Sequence, residues 1–489
     1  MYDICIIGAG IIGCFLARDL SRYRLSVLLL EKDADVANGA TMANSAIIHA
    51  GDDPEDGTYK ARFNVRGALM YRDLCRELGV AFLETSALVV VTSPEEEATL
   101  MMRYERARRR NIPARILSRD EALEKEPNLS DLVTMAMELP TTGVICPWEI
   151  AIALAEEAVM NGLDLHLEEP VTGIAQLPDM DSFRITTPRG TYETRSVINC
   201  AGAYADRIYA MVSQGDEPAF TVTPRRGEYY VIDKLREKTV SRVIYPVPSS
   251  VGKGILATPT VDGNLLIGPN ALDIDDREGI NTTAEGLSLV REKIGKTVRN
   301  VPFDKIIRQF AGLRAKGNAG DFLVEEAGNL KRFINAACID SPGLSSAPAI
   351  SEYIITTILS RYFSLIEKED FLHRRPTLRL DRMTPAEREE LVRRDPSFAH
   401  MICRCEKITE GEILDVIHRE VGARTVKGVK KRARPGMGRC QGGFCEPRVV
   451  EILARELGVA KTDIRYDDAL SVLLTGETKA DFDGGEASV

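Results

Sequence analysis

An α/β fold built on a parallel sheet is what this sequence predicts, on three observations. The opening residues, MYDICIIGAGIIG, place a short apolar run directly before a glycine-punctuated turn. A helical pattern follows over residues 11 to about 22. Residues 25–30 are then a second apolar run, closed by Glu31. This order is β-turn-α-β, the repeating unit of a doubly wound sheet. A chain of 489 residues exceeds what one core holds, so about two to four domains are expected.

The glycine turn carries chemistry because of its context. Gly8 permits the tight turn, Gly10 lets backbone N–H groups approach a pyrophosphate, and Gly13 allows helix and strand to pack closely. Glu31 can accept hydrogen bonds from ribose hydroxyls and disfavours a 2′-phosphate there, which argues against NADP; Lys32 beside it is counted with the same site. The fingerprint predicts a Rossmann-type dinucleotide domain and leaves FAD and NAD both open.

Further along, residues 62–79 and 95–111 read as helices. The second is strongly charged (EEEATLMMRYERARRRN), and its arginines are expected on a solvated face. A helix is expected from Pro147, where a missing N–H is harmless. Segments 171–177, 182–187 and 191–199 read as strands, and residues 221–272 alternate strands and turns as an antiparallel sheet does. A helix over 345–364 closes the main body. Residues 366–398 are charged and proline-punctuated, which suits a connector with one short helix. The tail DFDGGEASV is expected to be disordered.

Composition narrows the function. The 44% apolar and 28% charged content is ordinary for a soluble protein. A net charge of −10 argues against nucleic acid as a partner. No apolar run is long enough for a membrane span and no signal peptide is apparent, so the expectation is a cytoplasmic protein, with peripheral membrane association through a partner left open. Of ten cysteines, Cys5, Cys14, Cys75, Cys146, Cys200 and Cys338 sit in apolar segments and are expected to be small core residues.

The other four are Cys403 and Cys405, then Cys440 and Cys445 in CQGGFC. Thiolates at such spacing converge on a soft metal centre. Each iron of a [2Fe–2S] cluster needs two thiolates beside its bridging sulfides, and Gly436, Gly438, Gly442 and Gly443 keep side chains away so that backbone N–H groups can reach sulfur. A four-thiolate zinc site is the alternative. The basic run 427–434 between the cysteine pairs is read as a solvated face, with docking of an acidic electron carrier as the second reading.

Several segments of residues 1–375 resemble the D-amino-acid-oxidase-like flavoproteins. GATMANS (39–45), NCAGAY (199–204), AGLR (311–314) and DSPGLS (340–345) carry the resemblance. It implies FAD, with Thr41, Asn44 and Ser45 along the pyrophosphate and flavin, Val171 at adenine, and Ala201 and Gly202 at the second strand-end contact. Gly312, Gly343, Leu344 and Ser345 are implied near the flavin ring. Residues 399–460 similarly resemble the bacterioferritin-associated-ferredoxin-like module, which implies a [2Fe–2S] cluster on the four cysteines.

Two branches of the flavoprotein family fit. Residues 44–63, 225–232, 244–248 and 264–271 are similar to L-2-hydroxyglutarate dehydrogenases. The flavin body joined to a cysteine module is similar to the large subunit of anaerobic glycerol-3-phosphate dehydrogenase. Both imply a small anionic secondary alcohol as substrate. Arg314 is the implied anion clamp, His49 the candidate base or flavin contact, and Tyr245 a further candidate catalytic residue. Lys60, Arg226, Tyr229 and Thr258 are candidate pocket walls. His166, His373, His400 and His418 are read as structural. Gly51 is followed by Asp52-Asp53-Pro54, where the aerobic glycerol-3-phosphate enzymes place arginine and tyrosine, and this leaves the substrate open.

The expected architecture is therefore a discontinuous FAD-binding domain (1–85, 145–220, 305–375), an antiparallel-sheet substrate domain (86–144, 221–304), a linker (376–398), a small helical [2Fe–2S] module (399–460) and a tail (461–489). The expected activity is hydride removal by an FAD-dependent dehydrogenase, with electrons relayed singly to a partner subunit that is another flavoprotein or an iron–sulfur protein, in an oligomer or complex. An amine dehydrogenase and a non-catalytic relay subunit are the other readings.

Overall fold

Tyr2–Ile7 is a central strand of an eight-stranded sheet in the computed structural model of the chain. The structure describes residues 1–177, 181–213, 220–248, 254–328, 330–476 and 478. Asp164–His166, Val27–Leu30, Tyr2–Ile7, Gly190–Asn199 and Phe333–Ala337 lie side by side in parallel. Their residues are apolar in succession because layers cover both faces. Gly173–Leu177 and Ser182–Thr187 add an antiparallel meander to the long strand Gly190–Asn199. Val171 therefore lies just ahead of its strand and packs part-buried against the sheet core.

Helix Ile11–Leu20 is buried along nearly its whole length. Tyr59–Leu78 begins with Thr58 as N-cap and ends at Gly79 in the left-handed conformation. The helix expected over 345–364 starts earlier, at Gly343, and is α-helical only to Tyr353; a wider turn over Ile354–Ile358 and a tight one over Leu359–Arg361 complete it.

A nine-stranded sheet forms the second layer system. Its path runs Leu272–Asp273, Val222–Ile232, Leu265–Gly268, Leu256–Pro259, Val243–Pro246, Ala87–Val91, Met135–Leu139 and Arg115–Ser118, with Ile306–Gly317 also pairing along Val222–Ile232. The expected antiparallel arrangement holds except between Val243–Pro246 and Ala87–Val91, which run parallel. A three-stranded sheet of Ile47–Ile48, Gly143–Ile145 and Phe82–Glu84 anchors the chain immediately before His49.

The chain divides into two units: Met1–Lys32 with Val36–Arg375, and Asp33–Asp35 with Pro376–Val489. In the second, Glu410–Ile417, Val426–Ala433 and Glu446–Leu457 surround a core that includes Cys403, Cys445, Val449, Leu453 and Ile464. Ile464 lies past residue 460, so the first part of the expected tail belongs to this core; DFDGGEASV falls outside the described residues. No described helix is long and apolar enough to cross a membrane.

The basic run 427–434 corrects an expectation. Lys430, Lys431, Arg432 and Arg434 are buried rather than solvated. Arg432 donates to Asp35 at 2.6 and 2.8 Å, and Lys431 lies 3.0 Å from the same carboxylate. Burial alone would raise the Asp35 carboxyl, but the two cations hold it well below the usual carboxylate range. Arg434 pairs with the buried Glu406 side chain at 3.2 Å.

Candidate active site and cysteine centre

The glycine turn is built as its spacing predicts. Gly8 has φ +102°, and a Cβ there would strike the Cys200 carbonyl, while a Cβ on Gly13 would strike the carbonyl of Gly8. Gly10 is the N-cap of helix Ile11–Leu20 and offers no side-chain oxygen to its first turn. One of those N–H groups, that of Ile11, donates to Thr41 Oγ1 at 2.9 Å. A helix start left this bare suits a phosphate. Ala9 N–H donates to Glu31 Oε2 at 2.7 Å, which fixes the carboxylate at the end of its strand. Lys32 lies over the Tyr204 ring and 3.7 Å from Glu278.

The loop over 39–49 is fastened from within and from across the fold. Asn44 donates to the carbonyls of Ala40 and Thr41 and accepts from Ala46 N–H at 2.7 Å. Ser45 Oγ meets the Tyr229 hydroxyl at 3.1 Å, and the Tyr229 ring stacks on Phe310. Gly312 approaches the Ala43 carbonyl so closely that a Cβ would not fit. Ala201 N–H turns toward Asn199 Oδ1, and Gly202 follows with φ +54° and open space beside it.

His49 is half-buried and held by its backbone: its N–H donates to Ser345 Oγ at 2.8 Å, and its carbonyl accepts from Asn64 at 2.8 Å. Ser345 also donates to the Ile47 carbonyl, and the Tyr71 hydroxyl donates to that of Leu344. The first turn of helix Gly343–Tyr353 is thereby set against the His49 segment. The His49 ring meets the edge of Tyr245, centroids 6.3 Å apart. Tyr245 is buried, and desolvation, with Asp52 close by, pushes its phenol far above the ordinary tyrosine range.

Beneath Tyr245 lies a contact that sequence reading missed. Arg103 and Asp52 are 2% and 1% exposed and form an ion pair. The helix Pro94–Arg109, expected to show arginines to solvent, instead turns several of them onto residues 51–56. Arg106 donates to the Asp53 carbonyl and Arg109 to Asp56, while Arg110 reaches the carbonyls of Gly51 and Pro54. The signal was present as an arginine run and an acidic Asp52-Asp53 pair, but their complementarity needs the fold.

Arg314 lies opposite Arg225 in the sheet, and its guanidinium passes over Gly227, where a Cβ would come within 2.9 Å of Nη2. Arg225 is neutralised by Asp273 at 2.5 and 3.0 Å, and Lys316 shares that carboxylate at 2.7 Å. Arg314 is half-buried and makes no hydrogen bond or ion pair among the described residues. Of the other candidate walls, Lys60 pairs with Asp340 at 2.8 Å, Arg226 donates to Asn281, and the buried Thr258 hydroxyl has no partner among the described residues.

The remaining histidines sit in local contacts. His166 joins Glu169 and Tyr192, His373 meets Glu157, His400 meets Glu410, and His418 meets Glu456.

In the second unit the four candidate cysteines face one another crosswise. Cys405 and Cys440 sulfurs are 3.7 Å apart, and Cys403 hydrogen-bonds with Cys445. That bond draws the Cys403 thiol down to about 6 and raises Cys445, so the pair shares its proton on Cys445. Backbone N–H groups of Gly436 and Glu406 point at Cys403, and those of Gly442 and Phe444 at Cys440. Two thiol pairs surrounded by amides are a donor set suited to an iron–sulfur cluster.

Comparison with known proteins covers both units. Residues 3–356 match the DAO family of FAD-dependent oxidoreductases, and residues 401–455 match the BFD-like [2Fe–2S]-binding domain. A glycerol 3-phosphate dehydrogenase of Caloramator mitchellensis is 50% identical over 98% of this chain and 100% of its own length. A glycerol 3-phosphate oxidase of Mycoplasma genitalium is 31% identical over 72% of this chain and 92% of its own. An Escherichia coli K12 L-2-hydroxyglutarate dehydrogenase is 31% identical over 61% of this chain and 70% of its own. Among solved structures, FAD-bound L-α-glycerophosphate oxidase of Mycoplasma pneumoniae superposes with a TM-score of 0.73 at 28% identity, covering 77% of this chain and 99% of that one.

Proposed function

The chain belongs to the DAO family of FAD-dependent oxidoreductases and carries a BFD-like [2Fe–2S]-binding domain, and from that premise we propose that it oxidises sn-glycerol 3-phosphate to dihydroxyacetone phosphate. The observation that carries the proposal is the match of the whole chain, cysteine module included, to the Caloramator glycerol 3-phosphate dehydrogenase. The match to L-2-hydroxyglutarate dehydrogenases extends over a smaller share of the chain, and a 2-hydroxy acid is the second reading.

When bound, FAD supplies a hydride acceptor and the cluster a one-electron outlet. The protein's own residues do the rest. Arg314, with no protein partner among the described residues, binds the substrate's anionic end through its guanidinium fork, which fits phosphate or carboxylate. His49 takes the hydroxyl proton on a ring nitrogen, in a position fixed by Ser345, Asn64 and the edge of Tyr245. Thr41, Glu31 and the glycines at 8, 10 and 13 hold the dinucleotide, and Cys403, Cys405, Cys440 and Cys445 hold the cluster. The electrons pass singly to a partner protein.

Anaerobic titration with glycerol 3-phosphate, L-2-hydroxyglutarate, lactate and several amino acids tests the reading. Bleaching of the flavin absorbance by glycerol 3-phosphate at the lowest concentration supports it. Preferential bleaching by 2-hydroxyglutarate replaces it with the second reading, and no bleaching by any of them leaves a relay subunit.

A further inference from the structure

The cysteine module covers two of its four candidate ligands and presents the other two. Cys403 and Cys445 are buried, whereas Cys405 is exposed and Cys440 partly so. Phe444, between Gly443 and Cys445, is 87% exposed, although a side chain of that size is usually drawn inside. Arg404, Lys407 and Arg439 are exposed, and each lies within two residues of a cysteine. The neighbouring acid does not cancel them, because the Glu406 side chain is buried against Arg434. A cationic rim with one aromatic knob thus surrounds the accessible sulfurs, on a chain whose net charge is −10.

We propose that the edge bearing Cys405 and Cys440, rimmed by Arg404, Lys407, Arg439 and Phe444, is the docking face for a small acidic protein that carries one electron. The inference rests on the relay reading above and names the partner's chemistry. An electron leaves most readily where least protein separates the ligating sulfurs from the acceptor, and the exposed pair marks that place. Complementary charge steers the encounter and selects the partner, while a single aromatic anchor keeps the complex short-lived, as a carrier that must leave requires. The basic run 427–434 cannot serve this purpose, since its side chains at 430, 431, 432 and 434 are buried. The balance closes: each alcohol oxidised to a ketone releases two electrons and two protons, two carrier molecules take one electron each, and the protons pass to solvent.

The test uses the full-length holoprotein, with iron content and visible spectrum verified, and a plant-type [2Fe–2S] ferredoxin as the acidic probe. Binding is measured by surface plasmon resonance and electron transfer by stopped flow. Affinity should fall at least ~10-fold between low and high salt, and Arg404→Glu combined with Arg439→Glu should weaken it at least ~10-fold more at low salt. Phe444→Ala should weaken it several-fold, with iron content unchanged. Arg382→Glu, an exposed charge reversal elsewhere in the unit, should bind as the parent does. Equal affinity for basic cytochrome c, or parental binding by the double reversal, overturns the inference. Normal flavin bleaching by substrate in those variants shows that only the docking face has failed; absence of bleaching in the parent removes the relay reading itself.

Discussion

Arg103 donates from Nε to the Asp52 carboxylate at 2.9 Å, and both side chains are shut away from solvent. The pair joins the middle of helix Pro94–Arg109 to the segment that leaves His49. Tyr245 lies between, with Arg103 5.7 Å from its ring centroid and His49 at its edge. A charge pair remote from the glycine turn therefore sets the wall on which the candidate base rests.

Replacing Arg103 by Met strands a buried carboxylate, which should cost about 3–5 kcal/mol of stability. Denaturant unfolding checks this. Arg103→Lys keeps the charge without the fork and should lose less. If Arg103→Met unfolds at the parental midpoint, the pair does not brace this region.

Arg314→Ala should raise the glycerol 3-phosphate concentration for half-bleaching by roughly 10- to 150-fold, the loss of about 1.5–3 kcal/mol expected for a hydrogen bond to a charged group. Because Arg314 has no protein partner among the described residues, its removal should leave the unfolding midpoint nearly unchanged. A large stability loss with unaltered substrate affinity would assign Arg314 to the scaffold.

Gly13→Ala places a methyl group against the carbonyl of Gly8, so strand and helix must separate. The variant should purify with far less flavin than the parent. Thr41→Val removes only the acceptor for Ile11 N–H and should weaken FAD retention by several-fold. The flavin-to-protein absorbance ratio after gel filtration measures both.

Cys440→Ser should lower iron content and cluster absorption, preserve flavin bleaching by substrate, and block reduction of an external one-electron carrier. Undiminished carrier reduction would route the electrons elsewhere.

Asp206 accepts two hydrogen bonds from Arg277, at 2.6 and 2.8 Å, and one from Val222 N–H at 3.0 Å. Burial raises its carboxyl, but Arg277 and that amide outweigh burial and bring it below the ordinary value. A depressed folded value means the group adds stability above its unfolded pKa of ~3.9 and loses it as pH falls through the folded value. Asp206→Asn should thus be less stable than the parent at neutral pH, with the gap closing below about pH 4. Unfolding midpoints across that range give the answer, and a gap independent of pH would contradict it.

The amino-acid sequence alone determined whatever depends on neighbours along the chain. The turn of Gly8, Gly10 and Gly13, the strand ending at Glu31 and the two close cysteine motifs are local, since a φ of +102° or a short thiolate spacing is decided within a few residues. Tertiary structure decided what depends on partners far away in sequence. It buried Lys431 and Arg432 against Asp35 and turned Arg103 inward onto Asp52, although both runs read as solvated faces. It also left Arg314 without a partner among the described residues while supplying Asp273 to its neighbour Arg225. A charge written in a sequence carries no record of its counter-ion, and only the folded chain determines which cations are neutralised and which remain available to a ligand.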